Sequence, residues 1–488
     1  MERIKKLLNK CAPLGLVLLV TFILFAPTIK TGYFADDFDS AVRYQTPTTA
    51  AQLFLFNVDG TRTGGSWRPL YALSMWTSMF FMRNPVADHV VSIGLYLLII
   101  AFVYFIARRL FSDQSRWFAA AVTLCVALLP IHAEPVAWVS ARADLLATLG
   151  AVSALFFWMR GQWKISLFCI VISILSKEVW VLFCLLIPFF PIAQNSLCRS
   201  RIYFFSGTLA LVTAWFLIRR AITNFTVGGY SITSSDHVFG VHHLSNELLG
   251  FMVGWWNFGT IQSALIIFVQ KFWFIAAWGI PCVLGLLMFH IHRDRIAQWL
   301  FLACGATLAP ALLLSLPFIR PEATVGEQRY WFAPSILAIL FIAHIVHRQK
   351  ISKTTQIGFA IVLIFWMYGL STNISYFIDA GSYRDSILAS WNKIVNIKMA
   401  PTHVQLLPDS YHGVHLLASP FFERALEYTN HSQPATVGEW YQWCASGCGI
   451  PTTVSVNKNS ISISSVDPRL FSGSSHGLRN LIEIVRNP

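Results

Sequence analysis

Residues 14–27 read LGLVLLVTFILFAP, and residues 28–39 continue as TIKTGYFADDFD. Four basic residues precede the apolar run: Arg3, Lys5, Lys6 and Lys10. A secretory signal begins in the same way, but no A-x-A cleavage site follows here, and many more apolar runs come later. We therefore predict an uncleaved first membrane helix with its N-terminus in the cytoplasm, because basic flanks stay inside.

The composition of the chain points to the same class of protein. Of its 488 residues, 55% are hydrophobic and only 12% are charged, whereas a soluble domain averages about 25% charged residues. An ordinary water-soluble enzyme is therefore excluded. The net charge of +13 would suit a nucleic-acid-binding protein, since clustered Lys and Arg bind phosphate backbones. Whether it indicates such a protein depends on how the charges are distributed along the chain.

Apolar runs of about 20 residues can cross a bilayer as helices, and eleven runs are predicted to do so. They lie near residues 12–29, 87–107, 117–131, 143–159, 165–176, 179–194, 202–218, 272–290, 297–318, 331–346 and 355–371. An odd number places the C-terminus outside. The predicted fold is an all-α polytopic membrane protein, with a transmembrane domain over residues 1–371 that carries long outer loops at 30–86 and 219–271.

Basic and acidic residues are distributed unequally between the two predicted sides of the membrane. Every short loop predicted to be cytoplasmic is basic, as the positive-inside rule requires. After the N-terminus, these basic residues are Arg108, Arg109, Arg116, Arg160, Lys164, Arg199, Arg201, Arg293, Arg295, Arg348, Lys350 and Lys353. Most acidic residues of the membrane domain fall outside. The surplus positive charge is thus mainly topological, and no nucleic-acid partner is expected.

Residues 372–488 form the predicted outer tail. Its helical start and its alternating polar and apolar runs, near 453–456 and 460–463, predict a small α+β domain. Cys444 and Cys448 also fall there, where an oxidising compartment permits a disulfide. A metal or redox pair is the alternative, but no partner ligands lie nearby in the sequence.

Ionisable groups near membrane depth are costly and are functional candidates by default. Asp36 and Asp37 follow the first span directly. Adjacent carboxylates can act as a general base or bind a divalent cation, because close like charges raise one pKa and attract metals. The alternative is a solvated acidic loop. A divalent cation at these two residues is the one cofactor that the sequence leaves open.

Residues 131–144 join the third and fourth spans and read IHAEPVAWVSARAD. His132 and Glu134 could move a proton or position an acceptor. Arg142 could hold a phosphate group with its planar guanidinium. The alternative is helix capping, with Arg142 in a surface pair with Asp144 or Glu134.

Two further clusters lie at the same predicted face. Lys177 and Glu178 stand between two apolar runs with almost no loop, and they could simply neutralise each other. Cationic residues before the tenth span and after the seventh break the positive-inside pattern, which suggests an anionic partner outside; they are Arg320, Arg329, Arg219 and Arg220. Carboxylates and cations in one outer cavity would suit transfer from a lipid-phosphate donor, with a base for the acceptor and cations for the leaving phosphate.

These residues resemble a known family. Asp36-Asp37 after the first span is similar to the acidic motif of glycosyltransferases of the GT-C fold, which use polyprenyl-phosphate sugars. Residues 130–138 (PIHAEPVAW) and 142–147 (RADLLA) resemble the H-P-V-H-T-E-A-V-A-W and G-R-A-E/D-L-L-A stretches of the tetratricopeptide-containing transmembrane O-mannosyltransferases.

Three shorter motifs follow that family's order. Residues 175–178 resemble its L-S-K-E, residues 68–70 its R-P-L, and residues 327–330 (EQRY) a loosened E-R-x-x-Y. Leu129 stands where the family has its leading His, and no tetratricopeptide repeats follow the last span. The resemblance therefore implies a fold and a class of donor, without naming mannose as the sugar.

By resemblance, the chain is a hexosyl- or pentosyltransferase that moves a sugar from polyprenyl phosphate to a protein, lipid or glycan acceptor outside the membrane. The resemblance implies a catalytic role for Asp36 or Asp37 and donor-phosphate contacts from Arg142, Lys177 and Arg329. Substrate-positioning roles fall to Arg68, His132, Glu134, Glu178, Glu327 and Tyr330. A bacterial inner membrane, with a periplasmic tail, is the expected location.

Two other classes of function stay open at this stage. A transporter or lipid flippase would use the same charged residues as a translocation path, although such proteins place their sites near the midplane in paired repeats, and no repeat is evident here. A structural assembly protein would tolerate substitution of the outer carboxylates.

Overall fold

The computed structural model of the protein is mostly helical. The residues that the structure describes are 2–44, 67–82, 84–191, 198–223, 293–315, 328–348, 353–395, 403–411, 414–417, 421–429, 436–443, 454–457 and 460–463. Its α-helices over these ranges are α1 (Glu2–Phe25), α2 (Asp36–Arg43), α3 (Pro69–Phe81), α4 (Pro85–Leu110), α5 (Arg116–Ala127), α6 (Ala133–Ala137), α7 (Arg142–Met159), α8 (Trp163–Ser176), α9 (Val181–Leu186), α10 (Cys198–Thr223), α11 (Arg295–Ser315), α12 (Arg329–His347), α13 (Lys353–Val395) and α14 (Phe421–Tyr428). Short 3-10 helices are Ala26–Lys30, Pro130–His132, Val139–Ala141, Glu178–Trp180 and Ile187–Phe189.

Six helical segments in the described part of the chain are long and apolar enough to cross a membrane. They are Cys11–Lys30, Pro85–Leu110, Val139–Met159, Arg199–Thr223, Arg329–His347 and Gln356–Asp385. The predicted helical, multi-pass membrane protein is confirmed at this level.

The predicted total of eleven spans is not supported. The runs at 165–176, 179–194 and 297–318 correspond to shorter apolar helices, and the run at 272–290 lies outside the described residues. Lys177 explains the first break, because its extended backbone (φ −163°, ψ 145°) ends α8. The 14 residues of α8 span only about 21 Å at 1.5 Å per residue, less than the roughly 30 Å of a hydrocarbon core.

The third predicted span is sharply bent. Its two helical parts, Arg116–Ala127 and Pro130–Ala137, meet at 64°. Leu129 precedes a proline and has ψ 126°, as expected because the proline ring disfavours a helical conformation in the residue before it. The bend turns residues 130–141 into a compact buried segment, which carries several of the candidate site residues.

The last long helix, α13, extends well past the predicted span at 355–371. It has 43 residues, which correspond to about 65 Å of helix. The predicted domain boundary after residue 371 therefore falls inside a continuous helix. The helical start expected for the tail is the last part of α13.

The C-terminal part of the chain contains a mixed sheet. Its strands are β1 (His403–Tyr411), β2 (Val414–His415), β3 (Thr436–Trp443), β4 (Val454–Asn457) and β5 (Ser460–Ile463). β1 pairs in parallel with β3 and β5 and antiparallel with β2. The two alternating runs of the sequence form the antiparallel pair β4 and β5, in which Val456 lies opposite Ile461.

Helices α7 and α8 pack closely because small residues line their contact. A side chain on Gly150 would lie 2.6 Å from the backbone nitrogen of Ser173. The Ser173 hydroxyl donates a 2.8 Å hydrogen bond to the carbonyl of Ala147. Small residues allow such close approach between membrane helices, and hydroxyl groups add bonds across the contact. This packing places the beginning of α7 beside the end of α8.

Candidate functional site

The turn after the first span presents the two aspartates. Ala35 has φ 37° and ψ −113°, and it is the one non-glycine residue with positive φ in the described ranges. Such backbone conformations cost roughly 1–3 kcal/mol and persist where the surrounding structure imposes them. The strained turn starts α2, so that Asp36 and Asp37 are its first residues.

Asp37 is a buried, hydrogen-bonded carboxylate. Its Oδ2 accepts a 2.9 Å bond from the backbone N–H of Phe34, and its Oδ1 accepts a 2.6 Å bond from the backbone N–H of Ser140. The side chain is 0% exposed. Burial raises the pKa of Asp37 from its ordinary value of 3.8 to about 7, although both N–H donors oppose this shift.

Asp36 differs from its neighbour in exposure. It is half-buried, whereas Asp37 is fully buried. Among the residues that the structure describes, neither aspartate forms an ion pair. Of the two carboxylates, Asp36 is therefore the more accessible, and Asp37 holds the loop at Ser140.

The aspartates do not form a chelating pair for a divalent cation. Both Asp37 oxygens already accept a backbone N–H, and Ca²⁺ or Mg²⁺ needs several free oxygen ligands. In the described ranges, no group of three or more His, Cys, Asp or Glu side chains is arranged to hold a metal. Among the described residues, the two aspartates therefore do not by themselves complete a cation site.

Tyr71 lies beside the two aspartates. Its hydroxyl is 3.3 Å from the hydroxyl of Ser40 on α2. Burial raises the pKa of Tyr71 to about 12, and the nearby Asp37 and Asp36 act in the same direction. The phenol therefore stays neutral at physiological pH and can donate a hydrogen bond next to the aspartates.

Arg142 binds another part of the protein, which disagrees with its predicted contact to a donor phosphate. Its Nη2 lies 2.5 Å from Asp88 Oδ1, and its Nη1 donates a 2.9 Å bond to the Ser78 hydroxyl. Tyr33 donates a 2.6 Å bond to the other oxygen of Asp88. Arg142 is 0% exposed, so its guanidinium presents no surface to a substrate.

Lys177 and Glu178 each have a closer ion-pair partner elsewhere in the chain. The Lys177 ammonium donates to both oxygens of Asp144, at 2.7 Å each. Arg68 contacts Glu178 through two bonds of 2.7 and 3.2 Å. Arg219 lies 3.8 Å from the same carboxylate. Residues from four separate segments of the chain thus meet at one point.

Glu134 and Arg329 also pair, as two of the predicted site residues. Glu134 accepts a 2.7 Å bond from the backbone N–H of Arg329 and a 3.2 Å bond from its Nη1. The guanidinium lies 4.3 Å from the ring centre of Trp138 and 5.2 Å from that of Tyr330. With 19% of its side chain exposed, Arg329 is more accessible than Arg142 or Lys177.

His132, predicted to move a proton or position an acceptor, is held inside the helix bundle with no exposed surface. Its two ring nitrogens lie 2.7 Å from the Tyr96 hydroxyl and 2.8 Å from the Ser335 hydroxyl. The ring also packs edge-on against Phe332. Because the side chain is fully buried, its role is to join α4, the bend and α12.

Short contacts connect the aspartates to the cations. Asp37 binds Ser140, which lies in the same turn as Trp138. Trp138 stacks on Arg329, and the ring of Tyr330 lies 5.5 Å from the Lys177 ammonium. Candidate residues from the first loop, the bend and the start of α12 therefore lie at one end of the helix bundle.

Three residues with contacts near the aspartates were not predicted as site residues: Tyr33, Asp88 and Arg384, whose guanidinium binds the carbonyl of Thr31. Asp144 was named only as a possible partner of Arg142. Asp88 could have been found, because it is an ionisable residue at the start of an apolar span. Arg384 had no local signal, since it lies beyond the last predicted span (355–371) in ordinary polar sequence. Glu327, Cys444 and Cys448 lie outside the described residues.

The tail contacts the acidic turn directly. The backbone N–H of Ala35 donates a 2.9 Å bond to the carbonyl of Leu416. Arg424 on α14 lies 3.3 Å from Asp39 on α2. The ring of Tyr428 packs edge-on against Tyr33 at 5.5 Å between ring centres. The chain after the last span therefore forms part of the surroundings of Asp36.

No protein-family model matches this chain, and no curated protein or solved structure was found to be similar to it.

Proposed function

We propose that the protein is a membrane glycosyltransferase of the GT-C kind, which moves a sugar from a polyprenyl-phosphate donor to a protein, lipid or glycan acceptor at the outer face. The observation that carries this proposal is one accessible carboxylate without an ion-pair partner in the described chain, Asp36. It lies at the same end of the bundle as the partly accessible cations Arg329 and Arg68.

Asp36 serves as the general base. Its carboxylate takes the proton from an acceptor hydroxyl or amine, and the acceptor atom attacks the anomeric carbon of the sugar. The bond between that carbon and the phosphate oxygen breaks, and polyprenyl phosphate leaves with the electron pair. One displacement of this kind inverts the configuration at the anomeric carbon.

Arg329 is our candidate for contact with the leaving phosphate. Its position is set by Glu134 and by the face of Trp138, so the charge is oriented before the donor binds. Preorganised donors of this kind stabilise charge that develops in the transition state. Arg68 and Lys177 add positive potential nearby, while Glu178 and Asp144 fix their directions.

Arg142 and Asp37 contribute to the proposed reaction indirectly, by holding the loops that carry other site residues. Arg142 joins α7 to Asp88 at the start of α4, and Asp37 joins the acidic turn to Ser140. Both contacts hold the loops that carry Asp36 and Trp138. These two residues are therefore positioning residues in the proposed reaction.

The proposal also includes the location of the protein in the cell envelope and a role for its C-terminal tail. We place the protein in a bacterial inner membrane with a cytoplasmic N-terminus, which the basic inner loops support. The tail is proposed to be a periplasmic α+β domain that helps to select the acceptor, since Leu416 and Arg424 contact the acidic turn.

The direct test is a transfer assay with purified full-length protein. It would use a radiolabelled polyprenyl-phosphate sugar in vesicles, together with a crude envelope extract as the source of acceptor. Labelled product from the wild type, with none from Asp36→Asn, is the expected result. Movement of the labelled lipid across the vesicle without product would support a flippase instead, and neither activity would support an assembly role.

A further inference from the structure

The outer half of α13 contacts the acidic turn through a buried arginine. Arg384 is 4% exposed. Its Nη1 donates to the carbonyl of Thr31 at 2.8 Å and to the carbonyl of Tyr33. These carbonyls lie five and three residues before Asp36, so one guanidinium binds the turn immediately upstream of the proposed base.

The turn is shaped to receive this guanidinium. Gly32 has φ 71°, and a side chain there would lie 2.5 Å from Nη2 of Arg384. The guanidinium carbon lies 5.1 Å from the ring centre of Phe34. A glycine at position 32 thus satisfies two demands, because it adopts the left-handed conformation and leaves room for Arg384.

Two other residues bring α13 close to the site. A side chain on Gly381 would lie 2.6 Å from the carbonyl oxygen of Thr31. Asn373 donates a 3.0 Å bond to the carbonyl of Pro130, where the bent segment begins. The same helix therefore braces both the turn that carries Asp36 and the segment that carries Glu134 and Trp138.

We propose that Arg384 is a positioning residue for the transfer reaction, which sets the turn at residues 31–34 so that Asp36 points to the substrate. This inference rests on the proposed function. It needs Arg rather than Lys, because a planar guanidinium can bind two carbonyls in fixed directions and an ammonium cannot reproduce that geometry. Asp385, which is 67% exposed, accepts a 2.6 Å bond from Nη2 of Arg384 at the rim of the site.

The first test compares Arg384→Met and Arg384→Lys with the wild type in the transfer assay. We expect kcat to fall on the order of 10²-fold in Arg384→Met, as for a displacement of about 1 Å at a reacting group, with KM for the donor nearly unchanged. Arg384→Lys should recover part of kcat. The matched control is Lys30→Met, an exposed cation beside the same turn, which should behave as the wild type.

The second test does not depend on activity. Hydrogen exchange of the full-length protein in detergent should show faster exchange over residues 31–44 in Arg384→Met, with α8 unchanged. Unaltered exchange in this segment would overturn the inference, whatever the activity. If the wild type transfers no sugar, the proposed function fails, and hydrogen exchange still decides whether Arg384 holds the turn.

Discussion

The backbone N–H of Ser140 donates a 2.6 Å hydrogen bond to Oδ1 of Asp37, across 103 positions of sequence. This bond joins the turn after the first span to the bend between α6 and α7. It also separates the roles of two neighbouring aspartates, because it occupies Asp37 and leaves Asp36 as the accessible carboxylate.

Replacing Asp36 by Asn should abolish most transfer while leaving the protein inserted in the membrane. A general base contributes on the order of 10²- to 10⁴-fold to a rate, and an amide cannot take the proton. The measurement is product formed per folded protein, with insertion checked by fractionation. Asp39→Asn, on the same helix and paired with Arg424, is the control. Full activity in Asp36→Asn would remove this residue from the mechanism.

Transfer should fall as the pH drops through about 7, because burial raises the pKa of Asp37 to about 7. Protonation weakens its acceptance of the N–H groups of Phe34 and Ser140 and loosens the turn. Folding stability moves the other way: a raised carboxyl pKa contributes stability that is complete below its ordinary value of 3.8 and is lost as the pH rises through about 7. Between pH 4 and 7, a transfer activity that rises with pH and a free energy of unfolding that falls with pH would support this role of Asp37.

Asp37→Asn tests the role of this carboxylate with a side chain of similar shape that cannot ionise. We expect the protein to insert, to lose most transfer activity, and to show a residual activity without the decline near pH 7 that is attributed to Asp37. Undiminished turnover in Asp37→Asn would mean that its contact with Ser140 does not matter for the reaction.

Arg329→Ala should lower kcat with the polyprenyl-phosphate donor on the order of 10²- to 10³-fold, as expected for a lost transition-state contact. Glu134→Gln should have a smaller effect, since it removes the charge that orients Arg329 but retains a hydrogen-bonding side chain. Steady-state rates at varied donor concentration give both values. A change confined to the acceptor KM would contradict a role at the phosphate.

Arg142→Met should damage the fold more than the chemistry. Breaking a buried ion pair by removing one partner costs about 3–5 kcal/mol, because the other charge stays buried without compensation. The measurement is the free energy of unfolding in detergent. Asp88→Asn combined with Arg142→Met should restore part of the loss, and Arg160→Met, at an exposed position, should change stability little. A stable Arg142→Met protein with impaired donor binding would reinstate the phosphate contact.

Contacts between distant segments could not be derived from local pattern. The sequence places Lys177 next to Glu178, but the extended backbone of Lys177 directs their side chains to different partners. Lys177 binds Asp144, 33 positions away, and Glu134 binds Arg329, 195 positions away. Hydrophobic periodicity does not indicate which charged side chains will contact each other. Arg142 was therefore predicted to bind a donor phosphate, whereas in the structure it binds Asp88.

Composition and charge alone established that this chain is a helical membrane protein and which of its residues are costly to bury, because lipid admits only segments whose backbone bonds are satisfied internally and penalises every ionisable group. In the described ranges, the tertiary structure decided which of these groups pair and with which partner. Only packing brings Arg384, Ser140 and Leu416 to the turn at residues 31–39. That packing leaves Asp36 accessible and buries Asp37. The sequence alone does not distinguish these two adjacent aspartates.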